Sequence, residues 1–154
     1  MSLMLKLTSN NTEHMVALGE KIGRSLSGGS VIELQGDVGA GKTTLTKGIA
    51  LGLGVEEDVQ SPSFTISRVY DAHDGLSLAH YDFYRLNDPG IMSDEIHETV
   101  SDANFVTIVE WGDIIENVLP IDKLTISIIS ISENERKLTI SAGGDRSRKV
   151  LEEL

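Results

Sequence analysis

A chain of 154 residues with 40% hydrophobic content can bury a sizeable core as one domain, expected to span 1–154. Its net charge of −11 argues against a protein that grips nucleic acid by itself, because such affinity rests largely on a basic face. With no cysteine, disulfides, thiolate catalysis and cysteine-bound zinc are excluded; with no apolar run of roughly 18 residues and no basic, apolar leader, a cytoplasmic protein without membrane contact is expected.

In chain order, Leu3 to Leu7 reads as a short strand. Asn10 followed by Glu13 offers helix-start chemistry, and Met15, Leu18, Ile22 and Leu26 then share one helical face. Gly28-Gly29 should stop this helix. Ser30 to Gly36 reads as a strand that feeds "GDVGAGKTT", Gly36 to Thr44, and a helix follows to about Gly52–Gly54. That nonapeptide fits Gly-x-x-x-x-Gly-Lys-[Ser/Thr], with Gly36, Gly41, Lys42 and Thr43 at the fixed positions. Strand, glycine-rich loop and helix come in the order the motif needs. In such a loop the backbone of Gly36, Asp37, Val38, Gly39, Ala40 and Gly41, continuing into Thr44, approaches phosphate oxygens with its amides, aided by the helix N-terminus. Lys42 would reach the β- and γ-phosphates, and the Thr43 hydroxyl would ligate magnesium.

Downstream, Thr65 to Tyr70 and Leu76 to Tyr81 look like two strands around the turn "DAHDG". Within "HYDFYR", alternation places His80 and Asp82 on one face and Tyr81 and Phe83 on the other. An exposed hairpin strand and a pair that handles metal-bound or attacking water both fit that pattern. "LNDPG" breaks the chain before a short helix that ends near Asp102. Phe105 to Glu110 is apolar until its last residue, as in a strand buried on both faces. A phosphate-loop enzyme needs an acid near its metal at such a strand end, and Glu110 has that setting, as would a merely solvated terminus. By spacing alone Trp111, the single tryptophan, suits packing. "KLTISIISIS" and "RKLTISA" form a second hairpin pattern around "ENE", and a terminal helix carries Val150, Leu151 and Leu154. The expected fold is α/β: a three-layer domain of the P-loop NTPase type, with a mixed sheet and antiparallel hairpin additions.

Together, "GDVGAGKTT", "SPSF", "HYDFYR" and "VEWGD" resemble, in order and spacing, the TsaE (formerly YjeE) family of small bacterial ATPases needed for threonylcarbamoyladenosine modification of tRNA. The resemblance covers nearly the whole chain. It implies that Lys42 and Thr43 serve phosphates and Mg2+, that Asp82 and Glu110 are acids of the metal and hydrolysis site, and that Trp111 lies beside ATP. The catalytic set it implies is Lys42, Asp82 and Glu110, with Thr43, Asp82 and Glu110 toward the metal. Ser63 stands where the family usually has threonine, in a segment similar to a switch loop near the γ-phosphate. The helix between Asp88 and Asn104 matches the family poorly and contributes no site. The implied activity is ATP hydrolysis, weak alone and partner-dependent, coupled to a TsaD–TsaB complex that performs the transfer chemistry, so that tRNA is reached only indirectly. Two other classes remain open. A small-molecule phosphotransferase would need an acceptor pocket and an arginine-bearing lid, yet Arg85 is the only arginine between Arg68 and Arg136. A nucleotide-sensing module with negligible hydrolysis would share the same loop.

Overall fold

The computed structural model describes residues 3–37, 39–60, 67–83, 90–111 and 115–154. Val38, Ser63 and Arg85 lie outside them. Elements run β1 (Leu3–Ser9), α1 (Thr12–Ser25), β2 (Val31–Gln35), α2 (Lys42–Leu53), β3 (Ser67–Asp71), β4 (Ser77–Asp82), α3 (Gly90–Val100), β5 (Phe105–Glu110), β6 (Leu124–Ser130), β7 (Arg136–Ala142) and α4 (Asp145–Glu152).

The strands form one mixed seven-stranded sheet in the order β1-β7-β6-β2-β5-β4-β3. β6, β2, β5 and β4 are parallel to their neighbours within the centre, while β7 and β3 run antiparallel to theirs. Each expected hairpin therefore gives one strand to the parallel core, and β1 closes one edge against β7.

Strand alternation sorts the core into two layers. On one face Ile32, Leu34, Ile108 and Ile126 pack with Ile22 of α1, Leu45 and Ile49 of α2, and Val150 of α4. On the other, Val31, Ala79, Tyr81 and Val109 pack with Ile96 of α3 and with Ile115 and Leu119. Full burial of each large aliphatic side chain contributes about 1.5–3 kcal/mol. Glu33 of β2 points into the second layer and is buried, where Lys123 compensates it at 2.9 Å.

Contact between α1 and α2 depends on a glycine pattern, "GEKIG" (Gly19 to Gly23) against "GIALG" (Gly48 to Gly52). A Cβ on Gly23 would sit 2.2 Å from the Ile49 carbonyl oxygen, and one on Gly48 2.3 Å from that of Val16. The two backbones touch, which locks the helix that starts at the phosphate loop.

Helix boundaries differ from expectation at α1. Asn11, not Asn10, is the N-cap, and its side chain accepts the His14 N–H at 2.7 Å, because β1 already runs through Ser9. The helix ends at Ser25 rather than at Gly28-Gly29. Leu26 turns extended there and packs on the core, and the glycines form the turn into β2.

Candidate functional site

The parallel centre of the sheet brings the carboxyl ends of three strands together. Leu34 on β2 is level with Glu110 on β5, which is level with Asp82 on β4. Ligands of open α/β sheets bind outside such strand ends. The loop 36–41 leaves β2 at this point and enters α2.

Local backbone explains why that loop is glycine-rich. Gly39 and Gly41 are left-handed, at φ 84° and 111°, and a Cβ on Gly39 would meet nothing within 4 Å. Conformation, not crowding, calls for glycine at Gly39. The Ala40 N–H donates to the Asp37 carbonyl at 3.0 Å, closing a turn. Thr43 and Thr44 follow in the first turn of α2, half-buried.

Lys42 is where the site converges. Only 6% exposed, its Nζ donates to the Gly36 carbonyl at 2.7 Å, lies 3.9 Å from Glu110 Oε1, and sits over the Trp111 ring, 4.1 Å from its centroid. Burial pulls its pKa below the ordinary 10.5, against the opposing pull of Glu110, Asp82 and Asp37. An ammonium carries three donors, so beside its bond to Gly36 it can also serve an anion. Trp111 reaches Lys42 from a left-handed backbone, φ 58°, a conformation that costs a non-glycine residue about 1–3 kcal/mol and tends to occur at functional sites.

Glu110 and His80 are both buried, and His80 Nε2 lies 2.6 Å from Glu110 Oε2. His80 Nδ1 is buried and has no hydrogen-bond partner among the described residues. With the proton on Nε2, the imidazole donates to one carboxylate oxygen and leaves the other toward Lys42. His80 and Asp82 share one sheet face, while Tyr81 and Phe83 pack in the opposite layer and stack with centroids 5.8 Å apart. Alternation in the sequence had anticipated that division. The pairing of His80 with Glu110 was not visible in it, since the two strands become neighbours only in the folded sheet.

Beside the loop, a cleft of about 520 Å³ opens between Gln35–Asp37 and the end of β6 at Ser127–Ser130. That volume suits a small organic ligand. Among the described residues no three acidic, histidine or cysteine side chains cluster into a metal cage. A hard dication bound chiefly through phosphate oxygens, with a hydroxyl and one carboxylate from the protein, fits this donor set, whereas an all-protein site does not. Sequence reasoning also overlooked Arg136, whose Nε donates to the Ala40 carbonyl of the loop at 3.0 Å.

Residues 9–138 match the family described as Threonylcarbamoyl adenosine biosynthesis protein TsaE. The chain is 41% identical over 155 aligned positions to the tRNA threonylcarbamoyladenosine biosynthesis protein TsaE of Bacillus subtilis, covering 97% of this chain and 93% of the relative. To the protein of that name from Treponema pallidum it is 36% identical, covering 89% of this chain and 100% of the relative. The crystal structure of YdiB from Bacillus subtilis superposes with a TM-score of 0.81 at 36% identity, covering 99% of this chain and 95% of that one.

Proposed function

We propose that this chain, which belongs to the TsaE family, binds and hydrolyses ATP with Mg2+ as a single domain and thereby supports threonylcarbamoyladenosine modification of tRNA. The convergence of Gly36, Glu110 and Trp111 on the buried Lys42 ammonium carries this reading. Lys42 would meet the β- and γ-phosphates, and the amides from Gly36 to Gly41 and on to Thr44 would surround them. Trp111 would flank the phosphate end and limit water access. Bound Mg2+ would supply neutralisation of phosphate charge. Thr43, with Asp82 or Glu110, would hold it, and Glu110, oriented by His80, would position the attacking water.

Hydrolysis is expected to be weak in isolation and to rise when a partner supplies an arginine, with Arg85 as the residue of this chain that could act in its place. A TsaD–TsaB pair would complete the site and carry out the transfer, with tRNA contacted through that pair. A cytoplasmic setting belongs to the same reading; among the described residues no helix is long and apolar enough to cross a membrane. The test is calorimetric titration of ATP with Mg2+ into the wild type and Lys42→Ala. At least a ~100-fold loss of affinity is expected in a folded variant. Unchanged affinity would remove the phosphate-loop assignment.

A further inference from the structure

Arg136 opens β7, level with Ser9 on β1 and Ser130 on β6, far in sequence from the phosphate loop. Its guanidinium faces two ways. Nη1 donates to the carbonyls of Ser132, Glu133 and Glu135 at 2.8, 3.2 and 3.1 Å, which gathers the tip of the β6–β7 hairpin. Nε donates to the Ala40 carbonyl at 3.0 Å. An arginine that only closed a hairpin tip would have no use for the second bond.

Planarity of the peptide gives that bond its consequence. The Ala40 carbonyl and the Gly41 N–H belong to one rigid trans unit and point in opposite directions. Fixing the carbonyl on Arg136 therefore aims the Gly41 N–H away from the guanidinium. The nearby positive charge also polarises the peptide, which strengthens its N–H as a donor to an anion. The other end of the loop rests on the same hairpin, since a Cβ on Gly36 would come 2.7 Å from the Ile128 carbonyl oxygen. Both ends of the loop thus bear on β6 and β7.

We propose that Arg136 is a positioning residue for the phosphate loop, fastening the Ala40–Gly41 peptide to the β6–β7 hairpin tip so that nucleotide affinity depends on that hairpin. This rests on the reading of residues 36–44 as the phosphate site. Lysine at this position has donors but no fork, so it cannot serve the tip and the loop together. Methionine keeps the aliphatic stem and removes every donor.

The experiment titrates ATP with Mg2+ into Arg136→Met, Arg136→Lys and Lys42→Ala, and follows amide exchange of residues 36–45 in the ligand-free proteins. Arg136→Met should bind ATP about tenfold more weakly, with Arg136→Lys between it and the wild type, and the loop amides should exchange faster in both. Exchange in α3, which packs on the opposite face of the sheet, should stay as in the wild type. If Arg136→Met binds within twofold of wild type, or its loop exchanges at the wild-type rate, while Lys42→Ala loses affinity, the positioning role is wrong and the phosphate site stands. If Lys42→Ala also keeps its affinity, the phosphate site itself is misassigned and the proposal falls with it.

Discussion

The 2.6 Å contact between His80 Nε2 and Glu110 Oε2 joins two buried side chains on neighbouring strands, and it divides the carboxylate between two tasks. One oxygen is held; the other faces Lys42. Removing either partner should therefore affect chemistry more than binding. His80→Ala, Glu110→Ala and Asp82→Ala should each lower ATP turnover by about 10–100-fold and leave ATP affinity within roughly threefold. His80→Gln, whose amide can replace the Nε2 donor, should recover part of the loss. The double variant His80→Ala/Glu110→Ala should be little worse than Glu110→Ala alone, because one residue acts through the other. Steady-state kinetics with calorimetry decides this, and wild-type turnover in His80→Ala would remove the positioning role. At this scale the sequence displays a residue's type and face but not its partner. The alternation of "HYDFYR" put His80 and Asp82 together, and the end of "FVTIVE" marked Glu110. The left-handed backbone of Trp111 and its contact with Lys42 have no local signature, and spacing alone had favoured packing for that tryptophan.

Among the elements, α2 carries the most functional constraint, since its first residue is Lys42 and its other face is pressed on α1. Gly48→Ala would drive a methyl toward the Val16 carbonyl, now at 2.3 Å from the ideal Cβ position. A loss of about 1–3 kcal/mol is expected in urea denaturation, and an unchanged midpoint would show that the helices can separate freely. α4 offers a second test. Gly144, its N-cap, has no side chain, and Asp122 takes the capping role from a distance by accepting the Arg146 and Ser147 N–H groups, each at 3.0 Å, and the Ser147 hydroxyl at 2.7 Å. Burial alone would raise the Asp122 pKa, but these hydrogen bonds and Arg146 outweigh it and lower it from 3.8. A depressed folded-state pKa means that the stabilisation is complete above the unfolded value and fades as pH falls through the folded one. Asp122→Ala should cost about 1 kcal/mol at neutral pH. Asp122→Asn should keep most of the cap while losing that acid dependence, measured as denaturation midpoints between neutral pH and the acid limb. Periodicity and turn residues made most elements readable in the sequence. The α1 limits were displaced because Asn10 and Asn11 have equal capping chemistry, and because the packing of Leu26, a tertiary effect, decided where the helix stops. The facing glycine pairs of α1 and α2 were present in the sequence, but only the crossing gives them meaning.

For the molecule as a whole, strand order was the least legible feature, because nothing in "KLTISIISIS" states that it will lie beside β2 rather than β5. Arg136 escaped notice for the same reason: a residue of the last hairpin becomes part of the first loop only through the sheet. The proposed division of labour starts from charge and site. A chain of net charge −11 presents a buried lysine, carboxylates and an open cleft at one end of its sheet. Its overall charge repels RNA phosphates. In the proposed function, ATP turnover at this end is completed by a protein partner. The most direct measurement is phosphate release by the purified chain as a TsaD–TsaB pair is titrated in, with Lys42→Ala as control. Slow release alone and a rise of about tenfold or more with the pair, absent in the control, are expected. Turnover that is independent of the pair, or equal in the control, would contradict that reading.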